Sequence, residues 1–190
     1  MTDRRRHRAL RLLLALSLFL GTALPRPALG EQPSTKEYEV KAAILFNFTK
    51  FVTWSDTAPA DAGQPFVIAV VGDDPFGEAL SVLEGKAAHG RPIVVQRVSG
   101  IESLRNCRML FVSSSAGNRL PSILRAAHAR NILTVGDMDR FAQRGGVIGL
   151  VLAGDRIGFE VNTESARQAG LTISSKLLSL AKAIHREGAK

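Results

Sequence analysis

Residues 66–85 read FVIAVVGDDPFGEALSVLEG, and most of the architecture follows from them. Six apolar residues run without a polar break and stop at Gly72. A strand wet on one face alternates apolar and polar residues, whereas an unbroken run suits a strand covered on both faces, as in a parallel sheet. Helix-start chemistry follows directly. Asp73 or Asp74 can cap, Pro75 suits a first turn, and Gly85 can end the helix. Strand, glycine turn, helix is half of a βαβ unit, and the chain repeats it. RPIVVQRVS (91–99) is a second strand, and IESLRN (101–106) a short helical turn. MLFVSSS (109–115) is a third strand, ending in hydroxyl residues. NRLPSILRAAHA (118–129) follows as an amphipathic helix with a proline near its start. NILTVGD (131–137) is a fourth strand, and MDRFAQRGG (138–146) a short helix closing on Gly-Gly.

The pattern then changes. VIGLVLAGDRIGFEV (147–161) reads as a hairpin, with turn chemistry at Ala153–Gly154–Asp155 between alternating runs. Two helices, about 163–169 and 175–186, joined by GLTIS (170–174), finish the chain. Upstream, a helix is expected from Tyr38 to Thr53. The expected fold is a single α/β domain over residues 31–190. It is a three-layer open sheet of the Rossmann or flavodoxin kind, mostly parallel, with an antiparallel C-terminal hairpin and flanking helices.

The beginning of the chain has a different character. MTDRRRHRAL (1–10) is rich in arginine, LLLALSLFLGTAL (12–24) is apolar, and PRPALGEQ (25–32) places Ala28 and Gly30 where a signal peptidase needs small side chains. A cleavable signal peptide over residues 1–30 is therefore expected. The apolar run is short for a membrane span, and no cysteine stands at the exit to carry a lipid. This segment holds six arginines and one aspartate, so it supplies +5 of the formal net charge of +8. The remainder carries 19 Lys+Arg against 16 Asp+Glu, a net of +3. The isoelectric point near 10.4 thus says little about partners, and no nucleic-acid partner is expected. Cys107 is the single cysteine, so no intrachain disulfide can form, and its setting suits a buried thiol at a strand entry.

Two turns echo each other: VVGDDPF (70–76) and TVGDMDRF (134–141). In a parallel sheet both open on the carboxyl edge, where open α/β sheets usually hold ligands. Candidate ligand-binding residues there are Asp73, Asp74, Ser113, Ser114 and Asp137. Phosphate is a poor match, because the aspartates repel it and neither GxGxxG nor GxxxxGK[ST] is present. A phosphoacceptor pocket would need an aspartate where Ser113 stands. SSSAG contains no nucleophile elbow, and His89, His128 and His185 are scattered without metal-ligand spacing. No catalytic residue, metal or cofactor is assigned, and the chain is not expected to be an enzyme.

KEYEVKAAILFNFTKFVTW (36–54) is apolar over an unusually broad arc: Tyr38, Val40, Ile44, Leu45, Phe48, Phe51 and Val52. Lys41 falls inside that arc, to snorkel outward or meet a carboxylate. Phe46 falls opposite, between Glu39, Lys50 and Thr53, and Trp54 lies at the helix end. An aromatic on a polar face is either covered by its own chain or reserved for a partner, so Phe46 and Trp54 are candidate partner-binding residues.

VKAAILFNFTKFVTW, FVIAVVGDDPFGEAL, GRPIVVQRV, CRMLFVSSS, ILTVGD, GGVIGLVL…RIGFEVN and ARQAGLTISSKLLSLAK together resemble the YfiR (HmsC-like) family, in order and spacing. The resemblance implies a small periplasmic protein of Gram-negative bacteria. It implies a negative regulator that binds the periplasmic sensing domain of an inner-membrane diguanylate cyclase and represses cyclic-di-GMP synthesis, restraining biofilm formation. Better-known members use disulfides, and this chain departs from them with its one cysteine. The AGLTISSKLL block adds Ser174, Ser175 and Lys176 as candidate partner-binding residues. The alternative is a periplasmic small-molecule-binding protein serving another membrane sensor or a transport system. A homodimer and a small-molecule ligand stay open beside the membrane sensor as partners.

Overall fold

In the computed structural model, which describes residues 35–55, 63–104, 106–154 and 156–186, FVIAVV forms strand Phe66–Val71 with all six residues buried. In chain order the strands are β1 (Val52–Trp54), β2 (Phe66–Val71), β3 (Ala87–Ala88), β4 (Arg91–Val98), β5 (Cys107–Val112), β6 (Leu133–Gly136), β7 (Ile148–Ala153), β8 (Arg156–Asn162), β9 (Leu171–Ile173) and β10 (Ala183–His185). The α-helices are α1 (Thr35–Phe51), α2 (Leu120–His128), α3 (Thr163–Gln168) and α4 (Ser175–Leu178). Eight strands make one sheet in the order β10-β8-β7-β6-β5-β2-β4-β3. Neighbours from β4 through β7 run parallel, β7 and β8 form the antiparallel hairpin, and β10 adds in parallel to β8. The mostly parallel α/β sheet flanked by helices is the expected fold class. The central order β4-β2-β5-β6-β7 puts a topological switch between β2 and β5.

The unbroken apolar runs are explained by a core on each side. Phe66, Ile68 and Val70 of β2 face Tyr38, Leu45 and Phe48 of α1. Val67, Ala69 and Val71 face Leu120, Ile123, Leu124 and Ala127 of α2. Those α2 positions follow the i, i+3, i+4, i+7 spacing of one helix face, and Pro121 sits in the first turn where its missing N–H costs nothing. Burying each large aliphatic side chain contributes about 1.5–3 kcal/mol.

Several elements differ from the sequence reading, each for a local reason. Helix α1 stops at Phe51, and Val52–Trp54 instead forms a strand pairing antiparallel with Leu171–Ile173, part of the expected GLTIS connection. Residues 138–146 are turns rather than a helix. Arg140 and Gly145 have positive φ (55° and 97°), which breaks a right-handed helix. There the Phe141 ring lies where a Cβ on Gly136 or Gly146 would be, so only glycine fits at both. Gly77–Leu83 is a 3-10 helix, tightened at its start by the Phe76 N–H donating to Asp74 Oδ1 at 2.8 Å. The last expected helix is only four residues long. The Lys182 N–H donates to the Phe159 carbonyl at 2.8 Å and draws the chain back into the sheet as β10. The expected signal peptide, residues 1–30, lies outside the described residues. Among the described residues no helix is long and apolar enough to cross a membrane.

Candidate functional site

Register aligns the site from the backbone up. Val71 of β2 lies beside Val112 of β5, which lies beside Gly136 of β6. Gly72, Ser113 and Asp137 therefore follow in one row along the carboxyl edge, so both VGD turns do open on the same side. At the switch point the two turns pack closely. The Asp73 N–H donates to Ser115 Oγ at 2.8 Å, and a Cβ on Gly72 would lie 2.6 Å from that oxygen. Ser113 is buried with its Oγ 3.4 Å from Ser115 Oγ, while Ser114 is exposed. The crevice that open sheets offer to a ligand is narrowed here by Ser115.

Two of the candidate aspartates of the edge, Asp74 and Asp137, are engaged by the protein itself. Asp74 accepts from the Phe76 N–H through Oδ1 and from Arg97 Nε at 2.9 Å through Oδ2. Asp137 accepts from the Tyr38 hydroxyl at 2.9 Å and from Lys41 Nζ at 2.5 Å. Lys41 Nζ also meets Glu37 Oε1 at 2.7 Å. This settles how α1 tolerates a lysine in its apolar arc. The buried residues Tyr38, Lys41, Ala42, Leu45, Phe48, Thr49 and Val52 recur every three or four positions, and Lys41 belongs to that stripe by carrying its charge to a carboxylate. Val40, expected in the arc, is 45 % exposed. Burial opposes the Lys41 ammonium, but hydrogen bonds to Asp137 and Glu37 outweigh it and raise its pKa. Burial, reinforced by the Asp137 charge, pushes the Tyr38 phenol up to about 12. The first turns of α1 thus form a latch over the sheet edge.

Beside the latch, between α1 and the 3-10 helix Gly77–Leu83, is a groove of about 380 Å³ lined by Glu39, Phe76, Glu78, Ala79 and Val82. Its floor is rigid. The Phe76 ring stands edge-on to Tyr38 (centroids 5.1 Å apart) and to Phe111 of β5 (4.7 Å). Phe76 belongs to the VGDDPF turn, the one signal of this groove in the sequence. Glu39, Glu78 and Val82 carried none, since they converge from separate segments.

The expected partner residues fall into three environments. Phe46 is half-buried, packed against the core, with Lys50 Nζ 4.6 Å and Lys86 Nζ 5.4 Å from its ring centroid. Trp54 is 5 % exposed and edge-on to Phe66 at 5.4 Å, so, contrary to expectation, it is a core residue rather than an aromatic left at the surface. The strand that replaces the end of the helix turns its ring inward. Ser174 caps α4, accepting from the Leu177 N–H at 3.2 Å, while Ser175 and Lys176 are exposed and Lys176 Nζ lies 5.6 Å from the Phe51 ring centroid.

The remaining titratable groups are dispersed. His89 Nε2 is 2.7 Å from the Thr49 carbonyl oxygen, and His185 Nε2 is 2.9 Å from Glu160 Oε2. Burial lowers the pKa of His128. Cys107 is buried, its thiol pushed up to about 12 by desolvation. Among the described residues no three His, Cys, Asp or Glu side chains gather as a metal site would require.

A family model described as YfiR/HmsC-like matches residues 38–182. No curated protein matches the chain. Among solved structures, the chain is similar to a conserved domain protein from Vibrio cholerae O1 biovar eltor. The TM-score is 0.54 at 13% identity, covering 77% of this chain and 60% of that one. It is also similar to the ABC domain from Streptococcus pneumonia solved in complex with L-Trp, with a TM-score of 0.47 at 10% identity, covering 63% and 55% of the two chains. The first likeness is one of fold, and the chain spans 60% of the length of that structure.

Proposed function

The chain belongs to the YfiR/HmsC-like family, and from that premise we propose that it is an exported regulator acting on a membrane diguanylate cyclase. In this reading residues 1–30 direct export and are removed. The domain then binds the cyclase's periplasmic sensing region and represses cyclic-di-GMP synthesis. The observation that carries the proposal is the extent of the family match, from Tyr38 at the latch to Lys182 at the entry to β10. The chemistry of the sheet edge supports it. Asp74 and Asp137 already hold an arginine and a lysine of the same chain, and the second of these pairs ties α1 to the sheet edge.

The test is genetic and biochemical. Deleting the gene in the native host should raise cyclic-di-GMP and surface attachment, and expression from a plasmid should reverse both. The purified protein should bind the isolated periplasmic domain of one of that host's membrane diguanylate cyclases. Unchanged nucleotide levels, with the protein shown to be present in the wild type, would refute this reading.

A further inference from the structure

The outer face of α1 carries a stripe in which Glu39, Phe46 and Lys50 recur at helical spacing. Alongside runs the segment from Glu78 through Val82 to Lys86. Glu39 and Glu78 line the same groove at one end, and Lys86 lies against Phe46 at the other. The two segments therefore advance in the same direction. The seven steps from Glu39 to Phe46 span ~10 Å at the helical rise. Together they wall a trough with opposite charges at its ends: two carboxylates at one, the Lys50 and Lys86 ammonium groups at the other. Between them the surface is apolar, with Val82 62 % exposed and the half-buried Phe46 ring. Among the described residues Glu39 and Glu78 form no ion pair, and the Lys86 ammonium lies 5.4 Å from the Phe46 ring centroid. Val82 beside the Phe76 ring leaves apolar surface between the two charged ends.

We propose that this trough docks a helical segment of a partner protein that carries a basic residue and, about two helical turns along, an acidic one, with apolar side chains between. Charge complementarity selects that occupant. The carboxylate end receives a lysine or arginine, and the ammonium end receives a carboxylate. A segment charged alike at both ends gains at one end of the trough and is repelled at the other. The apolar middle takes one or two aliphatic side chains over Val82 and Phe46, as helix-in-groove recognition does. The groove volume of about 380 Å³ is at the small end of the ~300–1,000 Å³ of ligand pockets, which fits side chains of a docked segment. The proposal deepens the regulatory reading and rests on it, since it describes the surface through which a sensor domain would be held.

The experiment uses the purified protein and three synthetic leucine-alanine helical peptides of about four turns. One carries Lys and Glu two turns apart, one carries Lys at both positions, and one Glu at both. Binding is followed by fluorescence anisotropy, and the contact surface by amide chemical-shift changes. The Lys/Glu peptide should bind at least tenfold more tightly than either other peptide, with shifts confined to α1 and residues 77–86. Both carboxylates are exposed, so Glu39→Lys/Glu78→Lys should melt like the wild type, and it should reverse the ranking to favour the Glu/Glu peptide. An unchanged ranking in that variant, equal binding of all three peptides, or no binding at millimolar concentration would overturn the proposal. So would a wild-type dimer in sedimentation that the variant abolishes, because the trough would then be a contact between copies. The cyclase domain separates the two readings. If the variant still binds it fully, the trough is refuted and the regulatory role stands. If the wild type binds no sensor domain while the peptides behave as expected, the regulatory role fails and the trough stands.

Discussion

Removing the Asp137 carboxylate should release the latch that holds α1 over the sheet edge. In Asp137→Ala the Lys41 ammonium, whose side chain is 7% exposed, keeps the Glu37 carboxylate, itself 25% exposed, and the Tyr38 ring 4.2 Å away, while the Tyr38 hydroxyl loses its acceptor. Breaking a buried ion pair from one side costs about 3–5 kcal/mol, because a charge is left without its compensation. The surviving contact with Glu37 places this case at the lower end. The orphaned phenol adds about 1 kcal/mol. The expected loss is therefore about 3–4 kcal/mol, read as a lower urea midpoint at unchanged slope. For a domain of this size it corresponds to a fall in Tm of about 6–16 °C. A double-mutant cycle isolates the pair. Lys41→Met removes the charge and keeps the apolar stem, so the double variant Lys41→Met/Asp137→Ala should be more stable than the sum of the single losses predicts, by at least about 1 kcal/mol. Hydrogen exchange should also speed up in the first turns of α1 in Asp137→Ala. A loss below about 1 kcal/mol, or strict additivity in the cycle, would show that Lys41 reaches solvent and that Asp137 does not hold the helix.

Three further outcomes are expected. Phe48→Ala, which empties a site 1 % exposed and edge-on to Phe159, should cost about 3–5 kcal/mol, whereas Phe46→Ala should cost about 1–2 kcal/mol because its ring is only half-buried; equal urea midpoints for the two would refute the assignment of faces on α1. Alkaline stability should fall from about pH 10 upward, because unfolded Tyr38 and Lys41 lose protons near their ordinary values (10.0 and 10.5) while the folded protein holds both beyond them. Tyr38→Phe should flatten that limb of a Tm–pH curve, and an unchanged slope would refute the role assigned to the phenol. N-terminal sequencing of protein from a periplasmic extract should begin near Glu31, and an intact Met1 in the membrane fraction would refute cleavage at Ala28-Leu29-Gly30.

What the residues determined alone is whatever depends on short-range pattern. The apolar runs at 66–71 and 109–112 announce strands covered on both faces, since any exposed face would have required alternation. The glycine turn at 153–155 and the alternating flanks announce the hairpin, and the 3.6-residue spacing over 120–127 announces α2. Even the conflict at Lys41 was visible as a charge in an apolar arc with a carboxylate as one way out. The carboxylate itself was not, because Asp137 is 96 positions away and only the parallel order of β2, β5 and β6 brings its turn under α1. The same distance hid the small strands. Three residues such as Val52–Trp54 have too little pattern to choose between helix and strand. Their hydrogen bonds exist only because Leu171–Ile173 arrives beside them, and that pairing buries Trp54. The trough is tertiary for a related reason. Glu39 and Glu78 are ordinary solvated carboxylates along the chain and become one charged end only when α1 settles against the 3-10 helix. Periodicity is a property of neighbours in sequence, whereas pairing, ion partners and concave surfaces belong to segments that meet only after the core has formed.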